Sequence, residues 1–188
     1  MKGLSFELLN VADPVALKEY EAGFYQSFAG VTTNRLVQKL WLWDHDAGRL
    51  KTRVPYQNQI ICALRDQAGR LCSAIAFNIE LRQFQSASYG FAAPEAAHGS
   101  FEVLTFFATA AQHLGVGASF WSSCLALLGR RGLTTGYATT APRPLPMYRR
   151  AGWQVVHELE IESEMRHFIR YAAPQCGHGR VSSPESSE

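Results

Sequence analysis

Several things are missing from these 188 residues. The four cysteines, at 62, 72, 124 and 176, form no Cys-x-x-Cys pair, so the usual zinc-ribbon and thioredoxin-type spacings are absent. Cys62, Cys72 and Cys124 lie in apolar runs, where cysteine behaves as a small hydrophobe, and a reduced, cytoplasmic protein is expected. The six histidines, at 45, 98, 113, 157, 167 and 178, show no metal-ligand spacing, and Cys176-Gly-His178 is too short a cluster to argue for a metal, so none is expected. No uninterrupted apolar segment approaches the ~20 residues of a membrane span. The opening Met-Lys-Gly-Leu-Ser-Phe-Glu lacks the apolar core of a signal peptide, and neither secretion nor membrane insertion is expected. With 18 Lys and Arg against 16 Asp and Glu and no basic run, nucleic acid is not an expected partner.

What is present is enough apolar surface for one good core: 47% of the residues are hydrophobic and 12% aromatic, and the length favours one domain. Its expected extent is 1–172. Residues 173–188, rich in Ser, Gly, Pro and Glu, are expected to form a disordered tail. The oligomeric state is open and a homodimer is allowed for.

Ser5 to Val11 reads as a first strand. Asp13-Pro14 supplies an N-cap and a proline at the first helical position, and Leu17, Tyr20, Phe24 and Phe28 recur at helical spacing. A second helix is expected after Thr32-Thr33-Asn34, carrying Leu36, Val37, Leu40, Trp41 and Trp43 and ending near Asp44 to Gly48. Gln59 to Leu64 and Leu71 to Ile79, joined by Asp66-Gln-Ala-Gly69-Arg70, read as a hairpin. Residues 81–99 read as a polar, glycine-containing connection with room for short strand pieces. Phe101 to Ala108 reads as a central strand whose one charge is Glu102, a carboxylate that is expensive to bury. Ala118 to Leu128 is a helix, apolar nearly all round and expected to be buried. Leu133 to Thr139 is a strand, and a short helix ends at Gly152 after the prolines at 142, 144 and 146. Trp153 to Ile161 and Met165 to Tyr171 close the body as a hairpin.

Between the central strand and its helix lies Gln112-His-Leu-Gly115-Val-Gly117-Ala118. Glycines at a strand-to-helix corner have two readings. Either the loop cradles phosphate on the unpaired N–H groups of the helix start, or the corner simply needs positive φ.

The order of elements resembles the GCN5-related N-acetyltransferase (GNAT) superfamily, and two motifs carry that resemblance. Gln112-x-x-Gly115-x-Gly117-Ala118 is similar to its Gln/Arg-x-x-Gly-x-Gly/Ala acyl-CoA pyrophosphate signature. Tyr148-Arg-Arg-Ala-Gly152-Trp153 resembles its Tyr-x-x-x-Gly-Phe segment, with Trp in place of Phe. The resemblance covers about residues 2–171 and implies an α/β (α+β) acyl-CoA N-acyltransferase fold: a mixed, mostly antiparallel sheet of six to seven strands flanked by about four helices. Two departures stand out. Ala141 occupies the place of an asparagine common before the tyrosine, and Ala108, Thr109, Ala110 and Ala111 form an unusually apolar approach to the glycines.

The resemblance implies an N-acyltransferase that moves an acetyl group from acetyl-CoA, or another acyl-CoA, directly to a small-molecule amine or a protein amino group. The departures raise a longer acyl-CoA or an acyl carrier protein as donor, and a non-catalytic CoA- or protein-binding module is the rival of another class. The cofactor residues it implies are Phe106, Phe107, Ala108, Gln112, His113, Leu114, Gly115, Val116, Gly117 and Ala118, with a backbone N–H near Phe107 facing the thioester carbonyl. Glu102 is the candidate base, since desolvation raises a carboxylate towards useful values; its other reading is a solvent-facing or ion-paired strand carboxylate. Tyr148 is the candidate acid for the leaving thiolate, or else a buried anchor of its helix. Trp41, Trp43 and Asp44 are candidates for the acceptor, an amine held by aromatic faces and carboxylates.

Overall fold

The computed structural model describes residues 3–31, 35–80, 84–91, 98–109, 117–161 and 163–173. Most of the phosphate-loop motif, Gln112 to Val116, and the expected tail from 174 onward lie outside them. Nine strands and four helices follow in the order β1 (Leu4–Leu8), α1 (Pro14–Phe28), α2 (Arg35–Leu40), β2 (Leu42–Asp44), β3 (Arg49–Lys51), β4 (Gln59–Asp66), β5 (Leu71–Asn78), β6 (Ser100–Ala108), α3 (Gly117–Arg130), β7 (Thr135–Thr140), α4 (Leu145–Arg150), β8 (Gln154–Ile161) and β9 (Glu164–Ala172). Single 3-10 turns occupy Tyr56–Asn58 and Gln85–Tyr89. Seven strands form one sheet in the order β1-β4-β5-β6-β7-β9-β8, and β2 and β3 form a separate hairpin. Every pairing in the large sheet is antiparallel except β6 with β7, whose parallel register requires a crossover that α3 supplies.

Each face of the sheet carries its own core. On one side α3 and α4 bury Phe120, Trp121, Cys124 and Tyr148 against Ile75, Phe77, Phe101 and Trp153. On the other, α1, α2 and β3 bury Tyr20, Phe24, Val37 and Leu50 against Ile61, Leu104 and Phe107. The Asp13 side chain accepts the Val15 N–H at the start of α1, as the Asp-Pro pair requires. The β2–β3 hairpin is tied to α1 by the buried Glu21, whose carboxylate accepts from Arg49 Nε at 2.6 Å and from the Tyr56 hydroxyl at 2.6 Å. The charge-assisted bonds make burial of this carboxylate tolerable.

Two expectations are corrected. The second helix stops at Leu40 and does not carry Trp41 and Trp43 onward. Asp44 accepts the Ala47 N–H at 3.0 Å and Gly48 takes φ +61°, so a tight turn folds Leu42–Asp44 back on Arg49–Lys51. Helix α3 is not buried all round: Phe120, Trp121, Cys124 and Leu128 face the sheet, whereas Ala118, Ser119, Ser122 and Ala126 are exposed. The serines, spaced along one side, give it a solvent face.

β6 determines where a site can form. Ala76 pairs with Thr105, but the next residue of β5, Phe77, pairs with Val103. Leu104 is therefore an extra residue, a bulge that bends and twists its strand. Beside it, β6 and β7 pair only over Ser100–Glu102 and Thr135–Tyr137. Past Glu102 the two strands separate and leave a notch in the middle of the sheet.

Below the notch, packing is tight. A Cβ on Gly136 of β7 would lie 2.5 Å from Phe101 Cζ and 2.8 Å from Trp153 Cη2, so only glycine lets these two rings meet there. Gly136→Ala is expected to cost about 1–3 kcal/mol and to lower the melting temperature by several degrees. Thermal unfolding followed by circular dichroism measures this, and an unchanged midpoint would disprove the packing argument.

Candidate active site

A cavity of about 470 Å3 occupies the notch and crosses the sheet. Tyr148, Met147 and Pro144 reach it from the α3/α4 face, and Phe28, Val37, Leu40 and Trp41 from the α1/α2 face. β6 contributes the floor from Glu102 to Ala108, and Gln85, Thr139, Thr140 and Arg166 make a polar corner. A second cavity of about 390 Å3 lies between α3 and α4, lined by Gly117, Ala118, Trp121, Ser122, Met147 and Arg150 among others. Met147 belongs to both walls.

Glu102 and Tyr148, 46 residues apart in the chain, thus share one cavity. Glu102 is 2% exposed. Its Oε2 accepts the Gln85 N–H at 2.6 Å and the Asn78 side-chain amide at 3.5 Å, and its Oε1 accepts the Ser86 N–H at 2.7 Å. These donors favour the carboxylate form, yet burial outweighs them and pushes the Glu102 carboxyl above its ordinary range. Of the two readings of this residue, solvent-facing and ion-paired both give way to a desolvated carboxylate held by N–H groups.

Tyr148 projects from α4 and is buried, with Trp121 at 5.4 Å and Trp153 at 5.6 Å between ring centroids. Burial drives its phenol well above the usual tyrosine range. It is both an anchor of its helix and a wall of the cavity. Pro146, in the first turn of α4, loses nothing by lacking an N–H there, so the proline-rich approach is compatible with a helix that begins at Leu145.

The implied cofactor residues fall into three groups. Phe106, Phe107 and Ala108 line the cavity in the notch. Gly117 and Ala118 line the second cavity at the start of α3. Gln112, His113, Leu114, Gly115 and Val116 are outside the described residues. Of the acceptor candidates, Trp41 lines the notch cavity, packed edge-on against Phe24 and Phe28. Trp43 and Asp44 do not line it: Trp43 stacks on His45 and donates to the Val37 carbonyl at 3.3 Å, and Asp44 closes the hairpin turn.

Gln85, Thr139, Thr140 and Arg166 were not singled out by sequence. Gln85 sits in a connection with no periodicity, and the others are single polar residues in strands. The cation in the wall, Arg166, is buried and ion-paired with Glu164. Among the described residues no group of three or more His, Cys, Asp or Glu side chains is placed to hold a metal ion, and no helix is long and apolar enough to cross a membrane.

No protein-family model matches the sequence, and no curated relative is detected. Solved structures do match over nearly the whole chain. The CoA-dependent acyl-homoserine lactone synthase BjaI, solved with SAM and isopentyl-CoA, is 12% identical with a TM-score of 0.71, covering 92% of this chain and 85% of its own. TofI, solved with an inhibitor and MTA, is 14% identical with a TM-score of 0.70, covering 90% of each chain. Nourseothricin acetyltransferase is 11% identical with a TM-score of 0.54, covering 92% of this chain and 100% of its own. At such identities it is the fold that is shared. The chain has the GNAT fold, a mixed seven-stranded sheet flanked by four helices.

The Tyr148 hydroxyl has no hydrogen-bond partner among the described residues, so nothing in the fold rests on it. Tyr148→Phe is expected to leave stability within about 0.5 kcal/mol of the parent. Denaturant unfolding checks this, and a larger loss would mean that the hydroxyl serves the fold.

Proposed function

We propose that this protein is an acyltransferase that moves an acyl group from a thioester donor to an amine, with an acyl chain longer than acetyl. The observation that carries the reading is the cavity through the notch, which joins a polar corner and the Tyr148 wall to an apolar chamber of Phe28, Val37, Leu40 and Trp41. Its volume is within the roughly 300–1,000 Å3 of sites for sizeable ligands, and its apolar end adds lining for an acyl chain to the walls that surround the reacting groups. The homoserine lactone synthases, BjaI among them with its isopentyl-CoA, have higher TM-scores to this chain than the acetyltransferase. That difference favours the longer chain.

The donor's carrier arm enters along the α3/α4 cavity at Gly117 and Ala118 and passes Met147 into the notch, with its phosphates on the Gln112–Ala118 loop. The β6 backbone near Phe107 donates to the thioester oxygen and stabilises the charge that develops there. Glu102 accepts the proton of the attacking amine, directly or through water. Tyr148, kept protonated by its raised pKa, supplies a proton to the departing thiolate.

Two measurements test the reading. Acyl-CoAs of two to twelve carbons are expected to raise the melting temperature by mass action, with the largest shift above two carbons. No shift with any of them, and no turnover of an amine panel, would sink it. In kcat/KM against pH, the base must be deprotonated to work, so activity falls as pH drops through the raised Glu102 pKa. The acidic limb is expected above the ordinary carboxylate range and is expected to vanish in Glu102→Gln; an unmoved limb in that variant rules Glu102 out as the base.

A further inference from the structure

We infer that Gln85 and Thr139, with the anchored Glu102, form the seat of the acceptor nitrogen, and that the seat takes a primary amine. This rests on the acyl-transfer reading for its use, though not for its geometry. Gln85 Oε1 and Thr139 Oγ1 are buried side-chain oxygens without a hydrogen-bond partner among the described residues, and both residues line the notch cavity. A buried acceptor left unsatisfied costs about 1–3 kcal/mol. Two of them in the wall of one cavity, beside a desolvated carboxylate, are explained together by a ligand that brings several N–H donors.

The three groups come from three elements. Thr139 belongs to β7 and Glu102 to β6, on the two sides of the notch. Gln85 belongs to the 3-10 turn Gln85–Tyr89. That turn is fixed in three places: Phe84 packs on Tyr137 at 5.9 Å, Phe91 stacks on Phe168 at 5.0 Å, and the Gln85 and Ser86 N–H groups bind Glu102. Glu102 thereby sets the position of Gln85 as well as facing the cavity. Its two oxygens accept from the Gln85 and Ser86 N–H groups at short range and from the Asn78 amide only at 3.5 Å, the weakest of the three contacts and the one a ligand N–H can replace.

A primary amine matches this inventory. An ammonium has three N–H donors and no acceptor, so it is bound by oxygen acceptors; loss of one proton to the carboxylate leaves an uncharged nitrogen with its lone pair free to attack, and the second proton, shed as the amide forms, replaces the one that Tyr148 gives to the thiolate. The N–H groups that remain stay on Gln85 Oε1 and Thr139 Oγ1 and hold it in place. Arg166, the cation in the same wall, is offset by its ion pair with Glu164. An alcohol brings one donor where the seat has places for several. A secondary amine brings one N–H fewer.

The test uses the full-length protein, an acyl-CoA that shifts its melting temperature, and n-butylamine, glycinamide and leucine as acceptor probes. Gln85→Leu and Thr139→Val remove one acceptor each with little change of shape. Each is expected to raise KM for the amine about tenfold, the equivalent of one lost hydrogen bond of about 1.4 kcal/mol, with kcat changed much less and the shift caused by acyl-CoA unchanged. Gln85→Glu, which keeps an acceptor oxygen, is expected to recover most of the loss, and N-methylation of n-butylamine to weaken it about tenfold in the parent. If KM is unmoved in both Gln85→Leu and Thr139→Val while donor binding is normal, the seat is overturned. If the parent shows no turnover with any donor, amine binding by calorimetry decides: binding lost in Gln85→Leu keeps the seat and removes the acyl-transfer reading, and no binding in the parent removes the seat.

Discussion

One extra residue in the central strand governs the layout of this molecule. Leu104 has no counterpart in the β5 register, and beside it β6 keeps only three residues paired with β7. A sheet that continued its ladder would bury both strands and leave no interior space. By bending at the bulge, β6 gives up hydrogen bonds to β7 and opens a passage between the two cores. Glu102, Tyr148, Gln85 and Thr139 all lie on the walls of that passage.

Opening a sheet in its centre leaves backbone and polar groups in a dry place, and the surroundings compensate. Below the notch, Gly136 allows Phe101 and Trp153 to pack directly against the β7 backbone, and Trp121, Tyr148 and Trp153 form a mutually edge-on aromatic group beside it. On the other face, the Tyr20 hydroxyl lies 3.1 Å from Thr105 Oγ1 and ties α1 to the strand just past the bulge. Glu102 is the most expensive member, a carboxylate in the interior. Two backbone N–H groups offset part of that cost, and the remainder appears as a raised pKa, the property a proton acceptor near neutral pH needs.

Much of this architecture was legible in the residues because it depends on local spacing. Alternation and apolar runs located the strands of the large sheet, Asp13-Pro14 began α1, and the glycine corner with Tyr148-x-x-x-Gly152-Trp153 carried the resemblance to the GNAT fold. Where the spacing was ambiguous, the reading failed. Trp41 and Trp43 fit a helical stripe, but α2 stops at Leu40 and the Asp44–Gly48 turn puts Trp43 in the β2–β3 hairpin. The polar connection that holds Gln85 offered no periodicity, because its conformation comes from packing of Phe84 and Phe91 on the distant Tyr137 and Phe168 and from its hydrogen bonds to Glu102.

By itself the sequence determined the order of the strands of the large sheet and of the four helices, the fold they belong to, and that a lone carboxylate at Glu102 and a tyrosine at Tyr148 needed explaining. Tertiary structure alone decided that these two face one cavity, that Trp41 lines it while Trp43 and Asp44 do not, and that Gln85 and Thr139 stand beside them with unsatisfied oxygens. The physical reason is one of range. Helix and strand signals repeat within a few residues, whereas a notch exists only through the register of three strands, and a seat only where distant segments meet.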